Sequence, residues 1–468
     1  MDTLLEDFGT RNFGTAELGD RRRTKRLVRV ADRIAAHPGG SLPEKMHDPA
    51  DLRGLYRLMN HPRVTHEAVL APHFAQTRGL MAACAEVVLV IHDATELNLS
   101  GKRSLHPELG QLACGGAARG YVCHNSLAIT ARGEPWGLAN QILHRRRRRP
   151  KNEPRAKGRR ARQRESRLGK RGRQALGKRP ADRVWVDICD RGGDAFEFLD
   201  YEHQTGGLYG VRSRSDRRCF VGHAPGGAAV KLHGHLRGLE AQGTRPLEVL
   251  PSPKQPGRQT TVAVAWAAVQ LRPPPPGEAR GQHGQDPLAV WALRVWEVRP
   301  PPGVEPLEWF LVSNVTVAAL AQAWERVDGY EWRWPVAEEY HKAQKTGCQV
   351  EGPQFTTAQA LQPTIGVLSV VAWLLLRLKW LSRQDETAAQ PAARHVPASW
   401  VAWLSRWRLG REEPGWTVRE FFLALARLGG HQNRKGDGPP GWQVLWKGWT
   451  KLHTVLEFAS ARDKPNSG

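Results

Sequence analysis

Several things are scarce in this chain of 468 residues, and each scarcity excludes something. Cysteine is sparse. The six (Cys84, Cys114, Cys123, Cys189, Cys219 and Cys348) are scattered, and none pairs as CxxC. Neither a zinc ribbon nor a disulfide framework follows from such spacing, which points to a reducing, cytosolic setting. Long apolar runs are missing too. The longest, Ile365 to Leu376, is too short to span a bilayer and reads as a buried helix. The opening stretch, MDTLLEDFGT, has no basic region leading into an apolar core, so a secretory signal is not expected there. Acidic residues are outnumbered, 46 against 69 Lys and Arg, leaving a formal charge of +23 and a pI near 10.3. That balance predicts a polyanionic partner, with nucleic acid ahead of an anionic membrane surface. Hydrophobic residues make up 40% of the chain, enough for a sizeable core rather than a disordered polymer, and the length suits two to four domains.

What is present begins with helices. Over residues 1–75, Asp20 is placed to cap a helix from Arg21 to His37 that stops before Pro38 and the Gly39-Gly40 pair. Its apolar stripe is Leu27, Val30, Ala31 and Ile34. Arg22, Arg26, Arg29 and Arg33 fall on another face, a one-sided stripe suited to a phosphate backbone or simply to solvent. A second helix is expected over Asp51–Met59, and Thr65 caps a third. Val87–Ile91 (VVLVI) then reads as a short buried strand ending at His92-Asp93. Two more strands follow, Asn125–Thr130 and Trp136–Leu143.

From Arg145 to Arg179 about half the residues are Lys or Arg, with Glu153 and Glu165 the only acids. This predicts a disordered or loosely helical arm that neutralises phosphate. Val184–Ile188 is strand-like and ends at Asp190-Arg191, a helix follows over Asp194–Tyr201, and Leu208–Arg212 is again strand-like. Residues 219–306 alternate Gly, Pro and β-formers, a β-rich insertion with strands at Thr260–Val269 and Ala289–Val298. Glu308–Val312 resumes a buried strand with Trp309 near its start, and Val317–Gly329 is helical. After a Pro-containing linker near Ser382–Pro397 comes a tail rich in tryptophan. A tail of that composition packs against its own small core or a second subunit.

Three acids stand out: Asp93 and Asp190 close strands, and Glu338 lies in the helical stretch Tyr330–Gly347 (YEWRWPVAEEYHKAQKTG). On a regular helix Glu338, His341, Lys342 and Lys345 share one face, which brings an acid beside several cations. Hard oxygen ligands suit Mg2+ or Mn2+, and two such ions can drive phosphodiester chemistry. The order of strands and helices is that of an α/β, RNase H-like core.

The chain resembles the DDE transposases of the insertion-sequence-four family, and within it the transposon-five branch. The resemblance is carried by Ala16–Val30 (AELGDRRRTKRLVRV), Leu55–Arg63 (LYRLMNHPR), Ile91–Leu97 (IHDATEL), Asp190–Ala195 (DRGGDA), Tyr330–Gly347, Ala426–Gly430 (ARLGG) and Leu445–Trp449 (LWKGW), in order along nearly the whole chain. It implies an RNase H-like catalytic core with a β-rich insertion, flanked by helical domains. The expected division is a helical DNA end-binding domain at 1–75, the first part of the core at 76–215 with the basic arm 145–179, and the insertion at 216–306. The second part of the core with the catalytic helix follows at 307–380, then a Trp-rich dimerisation domain at 381–468.

The resemblance further implies Asp93, Asp190 and Glu338 as catalytic, metal-binding residues, with two Mg2+ ions (Mn2+ as substitute) per active site. It places the family's Tyr-Arg-Glu-Lys signature on Tyr330, Arg333, Glu338 and Lys345, with Arg333 and Lys345 on phosphates and Tyr330 on the DNA end. Trp309 matches an aromatic that receives a flipped base, Arg212 a DNA-contacting arginine, and Arg22, Arg23 and Arg26 the residues that recognise a terminal inverted repeat. The implied partners are double-stranded DNA with terminal inverted repeats, target DNA and a second copy of the chain, with no membrane. The implied location is the bacterial cytoplasm in association with the nucleoid.

One departure stands in the signature. Four residues separate Arg333 from Glu338 where the family has three. Counting forward from Arg333 reaches Ala337, which cannot bind metal, whereas counting back from Lys345 reaches Glu338. Proline is comfortable only in a first helical turn, so a helix starting near Pro335 absorbs the extra residue before the acid. The expected activity is cut-and-paste transposition: metal-dependent strand cleavage, hairpin formation and strand transfer. An RNase H-like nuclease that does not join strands, and a catalytically dead DNA-binding relic, are the alternatives.

Overall fold

The computed structural model describes residues 7–113, 115–146, 165–223, 229–249, 257–275, 283–434 and 437–462. The N-terminal part is helical: α1 (Phe8–Phe13), α2 (Arg21–Ala36), α3 (Leu42–Met46), α4 (Pro49–Met59) and α5 (His66–Ala83). Side-chain caps fix where they begin. Asp20 accepts from the Arg22 amide, Asp48 from Ala50 and Thr65 from Ala68, each satisfying a donor that the first turn leaves open. Leu27, Val30, Ala31 and Ile34 of α2 are buried, as their spacing requires.

One sheet of twelve strands organises the rest: β1 (Val87–Asn98), β2 (Gly110–Gln111), β3 (Arg119–Thr130), β4 (Pro135–His144), β5 (Val184–Cys189), β6 (Leu208–Arg212), β7 (Arg218–Val221), β8 (Ala229–Lys231), β9 (Gly243–Val249), β10 (Arg258–Leu271), β11 (Leu288–Glu297) and β12 (Glu308–Ser313). β4, β3 and β1 form an antiparallel meander. β5 then lies parallel to β1, and β6 parallel to β5. Beyond β6 the sheet continues through β12, β11 and β10 to β7 and β8, with β9 also on β10. The β-rich stretch therefore extends the same sheet. Arg245 of β9 also ties it to the helix Leu320–Glu331, pairing with Asp328 and Glu331 and lying over the Trp324 ring.

Period-two alternation divides β1 between two cores. Val88 and Val90 face Leu176 and Trp185 on one side, and Leu89 and Ile91 join the larger core on the other. The helix Ala358–Leu381 runs through that larger core. It is long and apolar enough to cross a membrane, yet 89% of its apolar window is buried in the fold. Burial, rather than the shortness of its apolar run, identifies it as a core helix. The tryptophan tail also packs inward: Trp449 is buried and donates from its indole to the Ala35 carbonyl of α2, and Trp400 meets Trp449 edge to face. Of the two destinations open to it, the chain's own core takes these rings.

Several boundaries differ from expectation. β1 does not stop at His92-Asp93 but runs on to Asn98, because β3 pairs with it along that whole length. The helix after Asp190 begins at Phe196, not Asp194: the Asp194 carboxylate is taken up by the amides of Arg214 and Ser215 and by Arg217. The helix expected over 317–329 spans Leu320–Glu331. Residues 147–164 of the basic arm lie outside the described residues. Its remainder includes a helix, Leu168–Leu176, whose Arg173 is buried beside Asp187 and Glu202.

Candidate functional site

Asp93 sits where β1 loses its parallel neighbour. The last β1–β5 pair is His92 with Cys189, and Asp190 is the next residue after β5. Parallel pairing thus delivers the two aspartates side by side. Asp190 turns back to accept from the Gly192 amide at 2.8 Å, capping the short turn Arg191–Gly193. Glu338 arrives from the far end of the chain. Burial pushes the Asp93 carboxyl up to about 6, Arg333 opposes this, and the charges of Asp190 and Glu338 push it further up. The fold therefore brings all three acids within electrostatic reach of one point.

The acid-bearing helix does not restart at Pro335. Leu320–Glu331 continues through Trp332 and Arg333 into a π-helical turn, Trp334–Glu338. Regular helix follows at Glu339–Lys342, then a second π-helical turn at Ala343–Gly347. The helix is widened between Arg333 and Glu338, which accommodates one residue more than a regular turn. In regular α-helix, residues five apart are about 140° out of line, whereas a turn closed i to i+5 stacks them. Arg333 donates to Asp93 Oδ2 at 2.9 Å, and Glu338 lies within electrostatic reach of the same aspartate. Pro335 stands at the start of the wide turn but inside a continuous helical run, where its ring and missing N–H interrupt the regular i to i+4 pattern.

Glu339 pairs instead with Lys379 of the core helix. The expectation of one shared face for Glu338, His341, Lys342 and Lys345 is not met. The π turns break the 100° rule, and His341 is buried while Lys342 is exposed. Burial, with Lys345 and Arg333 nearby, pulls His341 down to about 3, a neutral imidazole whose Nε2 lies 3.3 Å from Asn125 Nδ2. Asn125 also accepts from Gln141, and both Gln141 and Gln344 donate to Ser369 Oγ. This buried network fixes the helix against β3, β4 and the core helix at once.

Around the acids lie cations and rings. Burial works against the Arg333 charge, and the Asp93 carboxylate outweighs it, holding the guanidinium above its ordinary pKa. Arg333 also lies over the rings of Tyr330 and Trp334. Tyr330 is buried, 6.4 Å from the Trp309 ring between centroids. Trp309 and Arg212 line an open cavity of about 900 Å3 with Arg191, Arg214, Arg237 and Arg294. Arg191 adjoins Asp190, so this basic, aromatic hollow opens beside the acids. Lys345 is half-buried, 3.5 Å from Glu351. Sequence reasoning missed Arg191, Arg214 and the Arg237 and Arg294 pair, which bracket Glu308. Position after a strand-end acid was the available signal for Arg191.

The N-terminal arginines divide. Arg26, Arg29 and Arg33 converge on the buried Asp51, so the stripe on α2 is in large part an internal ion cluster. Arg23 donates to the Leu18 carbonyl, while Arg22 and Lys25 are exposed. Arg21 and Lys25 border a second hollow of about 440 Å3 with Thr10, Thr15 and Thr24. Residues 6–64, covering these helices, match the family model described as transposase DNA-binding. The match supports a transposase. It likewise supports DNA as the partner of this N-terminal segment.

Proposed function

We propose that the chain is a cut-and-paste DNA transposase of the DDE type. Asp93, Asp190 and Glu338 form its active site on an RNase H-like core. The observation that carries this is that Asp190 and Glu338 come within electrostatic reach of Asp93, from two parallel strands and a distant helix, in a chain whose N-terminal segment matches a transposase DNA-binding model. The strand order β4-β3-β1-β5-β6, with an antiparallel meander and two parallel additions, supports the RNase H-like reading.

The donor set fits Mg2+ or Mn2+. It consists of hard carboxylate oxygens, and burial holds Asp93 above its usual range, with Asp190 and Glu338 adding to the rise and Arg333 opposing it. When bound there, such ions supply Lewis-acid activation of the attacking oxygen and stabilisation of the leaving one. The chain's own residues do the positioning. Arg333 and Lys345 hold phosphates on either side of Glu338, and Arg212 and Arg191 line the strand's path into the cavity. Trp309 and Tyr330 offer rings on which an unstacked base rests. Water attack on the phosphodiester leaves a 3′-hydroxyl. That hydroxyl attacks the opposite strand, displacing the flanking 3′-oxygen and closing a hairpin. After the hairpin opens, the free end joins target DNA. A second copy of the chain holds the other end.

The test is a supercoiled plasmid carrying the element's own ends, incubated with purified protein in Mg2+ and then in EDTA. Excision through hairpin ends, lost in EDTA, is the expected result. Cutting without end preference would point to a plain nuclease, and end binding without cutting at any Mg2+ concentration to a relic.

A further inference from the structure

We propose that His37, His47 and Glu457 form a site for a divalent transition metal of the Zn2+ class, joining the N-terminal helices to the C-terminal helix Trp442–Arg462. His37 follows the last residue of α2, His47 follows α3, and Glu457 comes from more than four hundred residues later in sequence. One ligand atom from each lies within 4.8 Å of the others. His37 Nε2 is 3.1 Å from one Glu457 oxygen and His47 Nδ1 is 3.7 Å from the other. The donors of a tetrahedral site with bonds of about 2.1 Å stand roughly 3.4 Å apart, between those two distances. Little movement is needed to close the site on an ion.

Two features distinguish this cluster from a surface ion pair. His37 is buried, and its Nε2 has only the contact with Glu457 Oε1 at 3.1 Å, in a geometry too bent for a good hydrogen bond. An unsatisfied buried nitrogen is costly, and a metal satisfies it. His453, one turn before Glu457, has its ring 6.0 Å from that of His37, and its Nε2 has no partner among the described residues. His453 stands outside the set of three whose ligand atoms lie within 4.8 Å of one another, so water fills the fourth position. The donors are two imidazoles and one carboxylate, which suit Zn2+ or Co2+ and do not suit Mg2+. This separates the site chemically from the all-carboxylate cluster at Asp93. One group competes: Arg33 Nη1 contacts Glu457 Oε1 at 2.9 Å. Its Nε already lies 3.7 Å from Asp51, so a partner remains when a metal displaces it.

The experiment uses the full-length chain without a histidine tag, stripped with EDTA and exchanged into buffer with excess Mg2+. Zn2+ is titrated calorimetrically, and Co2+ by its visible absorption. One equivalent of either metal binds, and Asp93→Ala does not change this. His47→Ala and Glu457→Gln, both at partly exposed positions, each weaken binding at least tenfold while the metal-free melting temperature stays near that of the parent. Arg33→Gln, which removes the competing cation, tightens binding, a gain that loss of fold cannot produce. No saturable binding at micromolar metal, binding indifferent to His47→Ala and Glu457→Gln, binding lost with Asp93→Ala, or weaker binding in Arg33→Gln would each overturn the proposal.

Discussion

Two aspartates in this chain are held against arginine, with opposite outcomes. Asp51 is buried beneath α2 and meets three guanidinium groups, those of Arg26, Arg29 and Arg33. Asp93 meets one, Arg333, and shares its surroundings with Asp190 and Glu338. The first cluster is saturated with cations and serves to hold α2 on α4. The second gathers acids faster than cations, in a protein carrying +23 overall. Asp93 keeps a single ion pair, with Arg333, against two neighbouring acids. Burying a carboxyl beside two further acids is costly to stability, and costs of that kind are concentrated at functional sites.

The comparison breaks most sharply at the acids. Asp93→Ala, Asp190→Ala and Glu338→Ala should each reduce plasmid cutting to background while end binding, measured by gel shift, is kept. Glu339→Ala, which loses only the Lys379 pair, should still cut. The reverse result for Glu338 and Glu339 would show that the wide helical turn sets a different register. Next in size is Asp51→Asn. It should lower stability by about 1–2 kcal/mol in a denaturant melt, because three arginines lose a charged acceptor but are exposed enough for water to replace it. Cutting at permissive temperature should survive. The smallest effect sharpens the contrast. Glu338→Gln removes like charge near Asp93 and keeps the Arg333 pair, so its melting temperature in EDTA should equal or slightly exceed the parent's, by a few tenths of a kcal/mol in stability. A clear loss of stability would mean that Glu338 is neutralised after all.

Much of the sheet was legible because its strands carry local signals. Leu208–Arg212 was read with the bounds it has, and Glu308–Val312 fell one residue short. The run past Asp93 was not legible, because Ala94–Asn98 are strand only by virtue of pairing with β3. The arginine stripe on α2 was visible, but its partner Asp51 lies on another helix, and no helical period can report that. The same holds for Pro335. Its position suggested a helix start, whereas the chain stays helical and widens, since Asn125, Gln141 and Ser369 anchor the turns that follow.

By itself the sequence determined the elements and the inventory: buried strands, capped helices, three separated acids, a heavy excess of cations and a tryptophan-rich tail. These follow from periodicity, capping chemistry and composition, which act over a few residues at a time. Tertiary structure alone decided which charges meet. It brought Glu338 within electrostatic reach of Asp93 and paired Glu339 with Lys379, gave Asp51 three arginines and Asp93 one, and brought Glu457 to His37 and His47. Electrostatic and ligand geometry depend on distances between residues remote in sequence, and only the packed fold sets those distances.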